Sequence, residues 1–221
     1  LFLFLKQKPT ILFPIILISV FAIAAQVLTW EQVKGVQLDA VYNTYKSMGL
    51  NYTPDQLESM LELTKYFSFA AAPFPYLITW AITAVIVYLI YRLVKCEKGL
   101  KKYFSMTGYI MILTMVGMVI NSAYVYLTGS GLSTAMVTSA ASLLDPALQG
   151  TFLHGLASNI EVFNLWAFIL FGMGFVYTGG VEKKKSFALT AILAVIVILA
   201  SSGLSILLAG LQNSMLQNFG G

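Results

Sequence analysis

Five long apolar runs, free of charge in their interiors, divide this 221-residue chain, and the lysines and arginines between them gather almost entirely in alternate loops. A helix needs about 20 mainly apolar residues to cross the hydrocarbon of a bilayer. The runs fall at about residues 9–30, 75–94, 103–127, 162–178 and 187–211. Only 10% of the residues are charged and 58% are hydrophobic, whereas a soluble domain carries about 25% charged residues. Water cannot solvate such a chain as a core-and-surface globule, so the bilayer is its solvent. The sequence therefore predicts an all-α, integral membrane bundle of five transmembrane helices in one domain covering residues 1–221, with amphipathic outer helices. The first run is too long for a signal peptide and lacks a small-residue cleavage site. The chain opens Leu-Phe-Leu-Phe-Leu-Lys without an initiator methionine, and the expectation is that a piece of the natural N-terminus precedes it.

Charge sets the direction. Five crossings put the two termini on opposite sides. Lys6, Lys8, Arg92, Lys95, Lys98, Lys101, Lys102, Lys183, Lys184 and Lys185 fall on one side, and only Lys34, Lys46 and Lys65 on the other. Cytoplasmic loops carry the excess of basic residues, so the N-terminus is expected inside and the C-terminus outside. The acids mirror this, with Glu97 and Glu182 inside and seven outside. The net charge of +4 sits beside membrane spans rather than on a soluble basic face, so no nucleic-acid partner is expected. Topology anchoring explains the cytoplasmic bases, which also attract anionic lipids of the inner leaflet or an acidic partner.

Prolines and glycines punctuate the runs. Pro9 suits the first turn of a helix, and Pro14, further in, is expected to bend it. Pro73 and Pro75 mark the start of the second span, and Gly179-Gly180 stop the fourth. Residues 31–66 are too polar to cross, but Val33, Val36, Ala40, Tyr45 and Met48 follow roughly helical spacing. Thr53-Pro54-Asp55-Gln56 reads as an N-cap, a proline at the first helical position and a capping-box glutamine. Two outer helices are expected here, lying on the membrane surface or folded over the bundle. Asn51-Tyr52-Thr53 matches a glycosylation sequon, although proline follows it. Residues 129–160, rich in Gly, Ser, Ala and Thr, form a second outer segment with a helix start at Asp145-Pro146, packed against the bundle.

Motifs that carry chemistry are sparse. His154 is the one histidine, and it stands seven residues from Glu161. A continuous helix would put this outer polar pair on one face, but two residues are too few for a metal site. Glu161 opens the fourth span, where the helix dipole favours a carboxylate. Gln26, Asn121 and Asn164 are the amides set deeper in the spans, and they serve either as interhelical glue or as the lining of a polar cavity. Gly172 and Gly174, with the ridge Ser201, Ser205 and Ala209, are small residues that let helices approach. They point to packing within the bundle, then to homo-oligomer contacts. Cys96, the one cysteine, excludes an internal disulfide; it reads as an inert thiol or as a site of juxtamembrane acylation. No phosphate loop, nucleophile elbow or paired carboxylate occurs, so neither an enzyme nor a cofactor is expected.

The order of features resembles one family. Lys8-Pro9 leads into the first span, Thr53-Pro54-Asp55-Gln56-Leu57-Glu58 precedes the second, and Gly108-Tyr109 begins the third. Asn164-Leu165-Trp166, Gly172 and Gly179-Gly180 mark the fourth. Along the whole chain this is similar to the Yip-domain family of Ypt/Rab-interacting membrane proteins, and the long outer segments look like its bacterial branch. The eukaryotic relatives bind Rab GTPases through an acidic N-terminal segment; residues 1–8 hold none, so that role does not carry over. Some bacterial members resemble accessory subunits of ABC-type exporters. The resemblance implies a non-catalytic subunit of a membrane complex, with a membrane-protein partner or further copies of itself, in a bacterial plasma membrane. The alternatives are a permease or channel for a small solute and a cryptic intramembrane enzyme.

Overall fold

A computed structural model describes residues 1–50, 52–93, 95–131 and 136–219, with side chains for all of these except 54, 146 and 204–219. Helices run α1 (Phe2–Gln7), α2 (Leu12–Leu28), α3 (Trp30–Ser47), α4 (Pro54–Ala71), α5 (Pro73–Arg92), α6 (Leu100–Thr128), α7 (Phe152–Asn159), α8 (Val162–Tyr177) and α9 (Lys183–Phe219). Two 3₁₀ turns, Ala140–Leu143 and Pro146–Leu148, lie between α6 and α7. The described residues form no strand; their β pairing is a single bridge between Ser139 and Glu161.

Among the described residues three helices are long and apolar enough to cross a membrane: Asp55–Arg92, Leu100–Thr128 and Lys183–Gly203. Helices α2 and α3 qualify only as a pair, bent by 66°. Helix α8, with 16 residues, is apolar but short. Helix α6 is the axis of the bundle, touching α2, α5 and α8, while α9 packs on α8 and α7.

Packing explains the centrality of α6. Its Gly108 faces Pro14 of α2 so closely that a Cβ there would lie 2.7 Å from the Pro14 Cβ. The Trp80 indole of α5 donates to the Phe104 carbonyl and to the Thr107 hydroxyl, each at 3.1 Å. Tyr103 of α6 and Tyr91 of α5 both stack on Phe175 of α8. The Tyr91 hydroxyl bonds Thr190 of α9 and the Ser186 carbonyl. These rings, with Leu5, Met106 and Ile110, form a buried core in the half of the bundle nearer the N-terminus.

Pro9 and Pro14 act differently from the sequence expectation. Helix α2 begins at Leu12, so Pro9 precedes it. Pro14 falls in the first turn, where the backbone N–H needs no intrahelical partner, and it meets α6 instead of bending α2. The break comes later, at Thr29, whose hydroxyl turns back to the Ala25 carbonyl at 2.9 Å. Pro73 opens α5 as expected, without interrupting the helix before it. Ala72 stays in the right-handed helical region, so α4 and α5 make one rod of 38 residues from Asp55 to Arg92. At 1.5 Å per residue that rod is about 57 Å long, far more than the roughly 30 Å of hydrocarbon. A rod of that length outruns the hydrocarbon, and α4 continues along the direction of α5.

Helix α3 folds back along α4. The Lys34 ammonium reaches Glu31, Glu58 and Glu62 at 2.9–3.4 Å. Hydrogen bonding to Glu58, working against partial burial, holds that ammonium above its ordinary pKa. The capping box at Thr53 is formed in both directions, with Gln56 N donating to the Thr53 hydroxyl and Thr53 N donating to the Gln56 side chain.

Candidate functional site

The basic loops meet at one end of the bundle. Glu97, between α5 and α6, pairs with Lys6 of α1 and with Lys102 at 3.0 Å. The Glu97 backbone N–H donates to the Gly179 carbonyl, and the Tyr103 hydroxyl donates to the Glu97 carbonyl. Thr178 donates to the Phe2 carbonyl. The N-terminus, the α5–α6 loop and the α8–α9 loop are thus tied together. Lys6 and Lys102 hold the Glu97 carboxyl below its ordinary pKa. Lys95, Lys98, Lys101, Lys183, Lys184 and Lys185 are exposed and Arg92 is half-buried, its guanidinium donating to the Cys96 carbonyl. Lys102 corrects the expected basic surface: it is buried, because its ammonium is committed to Glu97. Cys96 is buried in the same core, out of reach of an acylating enzyme in this fold.

At the opposite end, α2, α5, α6 and α8 diverge around a recess of about 540 Å³. Gln26 comes from the last turns of α2, Asn121 from the second half of α6, and Asn164 from the first turn of α8. All three amides line the recess, together with Glu161. Two of them also join elements. Gln26 donates to the Ser68 hydroxyl of α4 at 3.2 Å. Asn121 donates to the Thr138 hydroxyl at 2.9 Å and accepts from the Thr138 N–H at 3.3 Å. Below the recess, Ile18, Trp80 and Met115 are buried together, and the aromatic core lies beyond them.

Glu161 is held in place by its backbone. Residues 138–140 run antiparallel to 160–162, with Ala140 N–H donating to the Ile160 carbonyl at 2.9 Å and Val162 N–H to the Thr138 carbonyl at 3.1 Å. The Glu161 side chain caps α8 by accepting from the Asn164 N–H at 2.7 Å through Oε2. Its other oxygen, Oε1, is buried and has no hydrogen-bond partner. Helix α6 accommodates it with a glycine: a Cβ on Gly117 would lie 3.0 Å from Oε1 and 2.6 Å from the Phe163 ring.

His154 does not share a helical face with Glu161, which corrects the premise of that pair. Helix α7 ends at Asn159, and Ile160 breaks the helical register between them. Among the described residues no group of three His, Cys, Asp or Glu could hold a metal ion. Gly172 lies against the Phe187 ring of α9 and Gly174 against Met106 of α6, so both serve packing inside the bundle. The Ser201 hydroxyl bonds Asn159 at 2.9 Å, joining α9 to α7. Ser205 and Ala209 lie outside the residues whose side chains are described. Sequence reasoning missed Gly117 and Thr138, and the pointer to them was an acidic N-cap in a chain poor in charge.

A family model described as the Yip1 domain matches residues 3–205. The membrane protein YknW of Bacillus subtilis strain 168 is 23% identical over 211 residues, which are 96% of this chain and 85% of that protein. No solved structure matches the chain. With the family match running through every apolar helix and both outer segments, the chain belongs to the Yip1-domain family of membrane proteins.

Proposed function

We propose that this protein is a non-catalytic accessory subunit of a larger membrane complex, such as an ABC-type exporter, crossing a bacterial plasma membrane five times with its N-terminus inside and its C-terminus outside. The recess carries this reading: Ile18, Trp80 and Met115, outside its lining, are buried together among the same helices. A recess backed by such packing can hold a solute but offers it no path through. The gathering of Lys6, Glu97 and Gly179 at the opposite end supports a shared cytoplasmic side for the basic loops. There the exposed lysines face anionic headgroups, each worth on the order of 1 kcal/mol of attraction.

Gentle detergent extraction at native expression is expected to recover the protein with a stoichiometric membrane partner that carries or binds an ATPase. Recovery of the protein alone under several conditions would overturn the reading. The recess also favours a second reading, a small-solute permease, because Gln26, Asn121 and Asn164 all line it. Solute flux catalysed by the purified protein alone in liposomes would establish that reading over the first.

A further inference from the structure

We propose that the recess is a binding site for an organic cation, with a primary ammonium seated on the Glu161 carboxylate and an apolar body against α2 and α6. Among the described residues Glu161 is the sole charged one lining the recess, and it is nine-tenths buried. One of its oxygens caps α8 and the other has no partner. A buried carboxylate with an unused oxygen is costly, and a cation offsets that cost. The dipole of α8 contributes only about half a positive charge at its N-terminus, so the site keeps a net negative field.

Four hydroxyls of the wall suit the same ligand. Thr29 donates its proton to the Ala25 carbonyl, Thr114 to Met111, Ser139 to Met136 and Ser158 to His154. Each of these four hydroxyls has spent its one donor, so what it can offer a ligand is lone pairs. Asn164, Tyr76 and Ser122 keep donors on the same wall, so the charge of Glu161, and not a shortage of donors, selects the ligand. An ammonium, with three donors and no acceptor, complements the carboxylate and the lone pairs of the four hydroxyls; a carboxylate or phosphate would be repelled by Glu161. The volume of about 540 Å³ lies within the range of about 300–1,000 Å³ usual for small-molecule sites and is far larger than one metal ion needs. Ala22, Ala25 and Met118 supply apolar wall for the rest of the molecule. Gly117 matters because a side chain there would occupy the space beside Oε1.

The test uses dansylcadaverine, a fluorescent primary amine, and its uncharged N-acetyl derivative, titrated into the full chain in detergent micelles with empty micelles subtracted. The amine is expected to bind roughly tenfold tighter than the neutral compound, about 1.4 kcal/mol. Glu161→Gln, which keeps a capping oxygen, abolishes that preference, and Glu161→Asp, which keeps the charge, retains it. Equal binding of the two compounds by the unmodified protein overturns the proposal, and so does a preference that survives Glu161→Gln. If Glu161→Gln fails to fold, the comparison of the two compounds on the unmodified protein decides the matter. Neither outcome depends on whether a partner subunit is found.

Discussion

Gly108→Ala tests the account of the bundle most directly. The contact of α2 with α6 passes through this position, where an added Cβ would stand 2.7 Å from the Pro14 Cβ, 3.1 Å from its Cγ and 3.2 Å from the Trp80 indole nitrogen. Ordinary contacts begin at 3.4 Å, so the helices must part by about 0.7 Å or the indole must turn. Neither neighbour yields easily. The pyrrolidine ring is fixed to the backbone of α2, and the indole N–H is held by Phe104 and Thr107. Overpacking of this kind costs about 1–3 kcal/mol. In a chain of this size each kcal/mol moves Tm by about 2–4 °C. Gly35→Ala is the matched control. It is exposed within α3, and nothing lies within 4 Å of its Cβ position, so the gain in helix propensity is expected to stabilise α3 by about 0.5–1 kcal/mol. Gly174→Ala should fall between them, because Met106 is a flexible neighbour. Thermal unfolding in detergent, followed by fluorescence-detected gel filtration, measures all three. A Gly108→Ala protein as stable as the parent would refute the close approach of α2 and α6.

The remaining predictions concern the two ends of the bundle. The Glu97 carboxyl is held below its ordinary value of 4.5 by Lys6 and Lys102, so its contribution is full above that pH and is lost as pH falls through the depressed value. Glu97→Gln should therefore lower Tm at pH 7, and the gap from the parent should close as the pH falls below 4.5 and through the depressed value; a gap independent of pH would contradict the pairing. Thr53→Ala removes the formed capping box and should cost α4 about 1 kcal/mol, seen as faster amide exchange over its first turn but not in α5. Orientation is read with single cysteines in a Cys96→Ser background. An impermeant maleimide applied to intact cells should label Asp39→Cys and spare Lys101→Cys, and the reverse pattern would invert the topology. Cys96 itself, 2% exposed, should react only after unfolding.

Much of the architecture is legible because a bilayer asks a one-dimensional question. Runs of apolar residues answer it, so α5, α6, α8 and α9 lie where hydropathy puts them, and the glycine pair at 179–180 stops α8 as expected. The Thr53 cap was legible for a related reason: its partners are three residues apart. The short α1 was not legible. Its Phe2 and Leu5 are buried only because α6 and α8 present a surface to receive them. The entry of α2 was misread for lack of neighbours: Pro14 looks like a kink until α6 offers Gly108.

The candidate site divides the same way. Its amides and its acid could be named from the sequence, as rare polar groups in an apolar chain. A shared cavity for the three amides was one of two readings of the sequence, but the place of Glu161 beside them was not legible, since Gln26, Asn121 and Glu161 are brought together from three separate elements. Nor could the unpaired Oε1 of Glu161 be foreseen, because it depends on Gly117 and on the bridge to Ser139. The sequence by itself determined the solvent of this protein, the placement of most of its helices and the separation of basic from acidic loops, because hydration and helix capping act over a few residues at a time. The tertiary structure alone decided where the helices leave a recess and which charge faces it, because burial and hydrogen-bond satisfaction depend on neighbours distant along the chain.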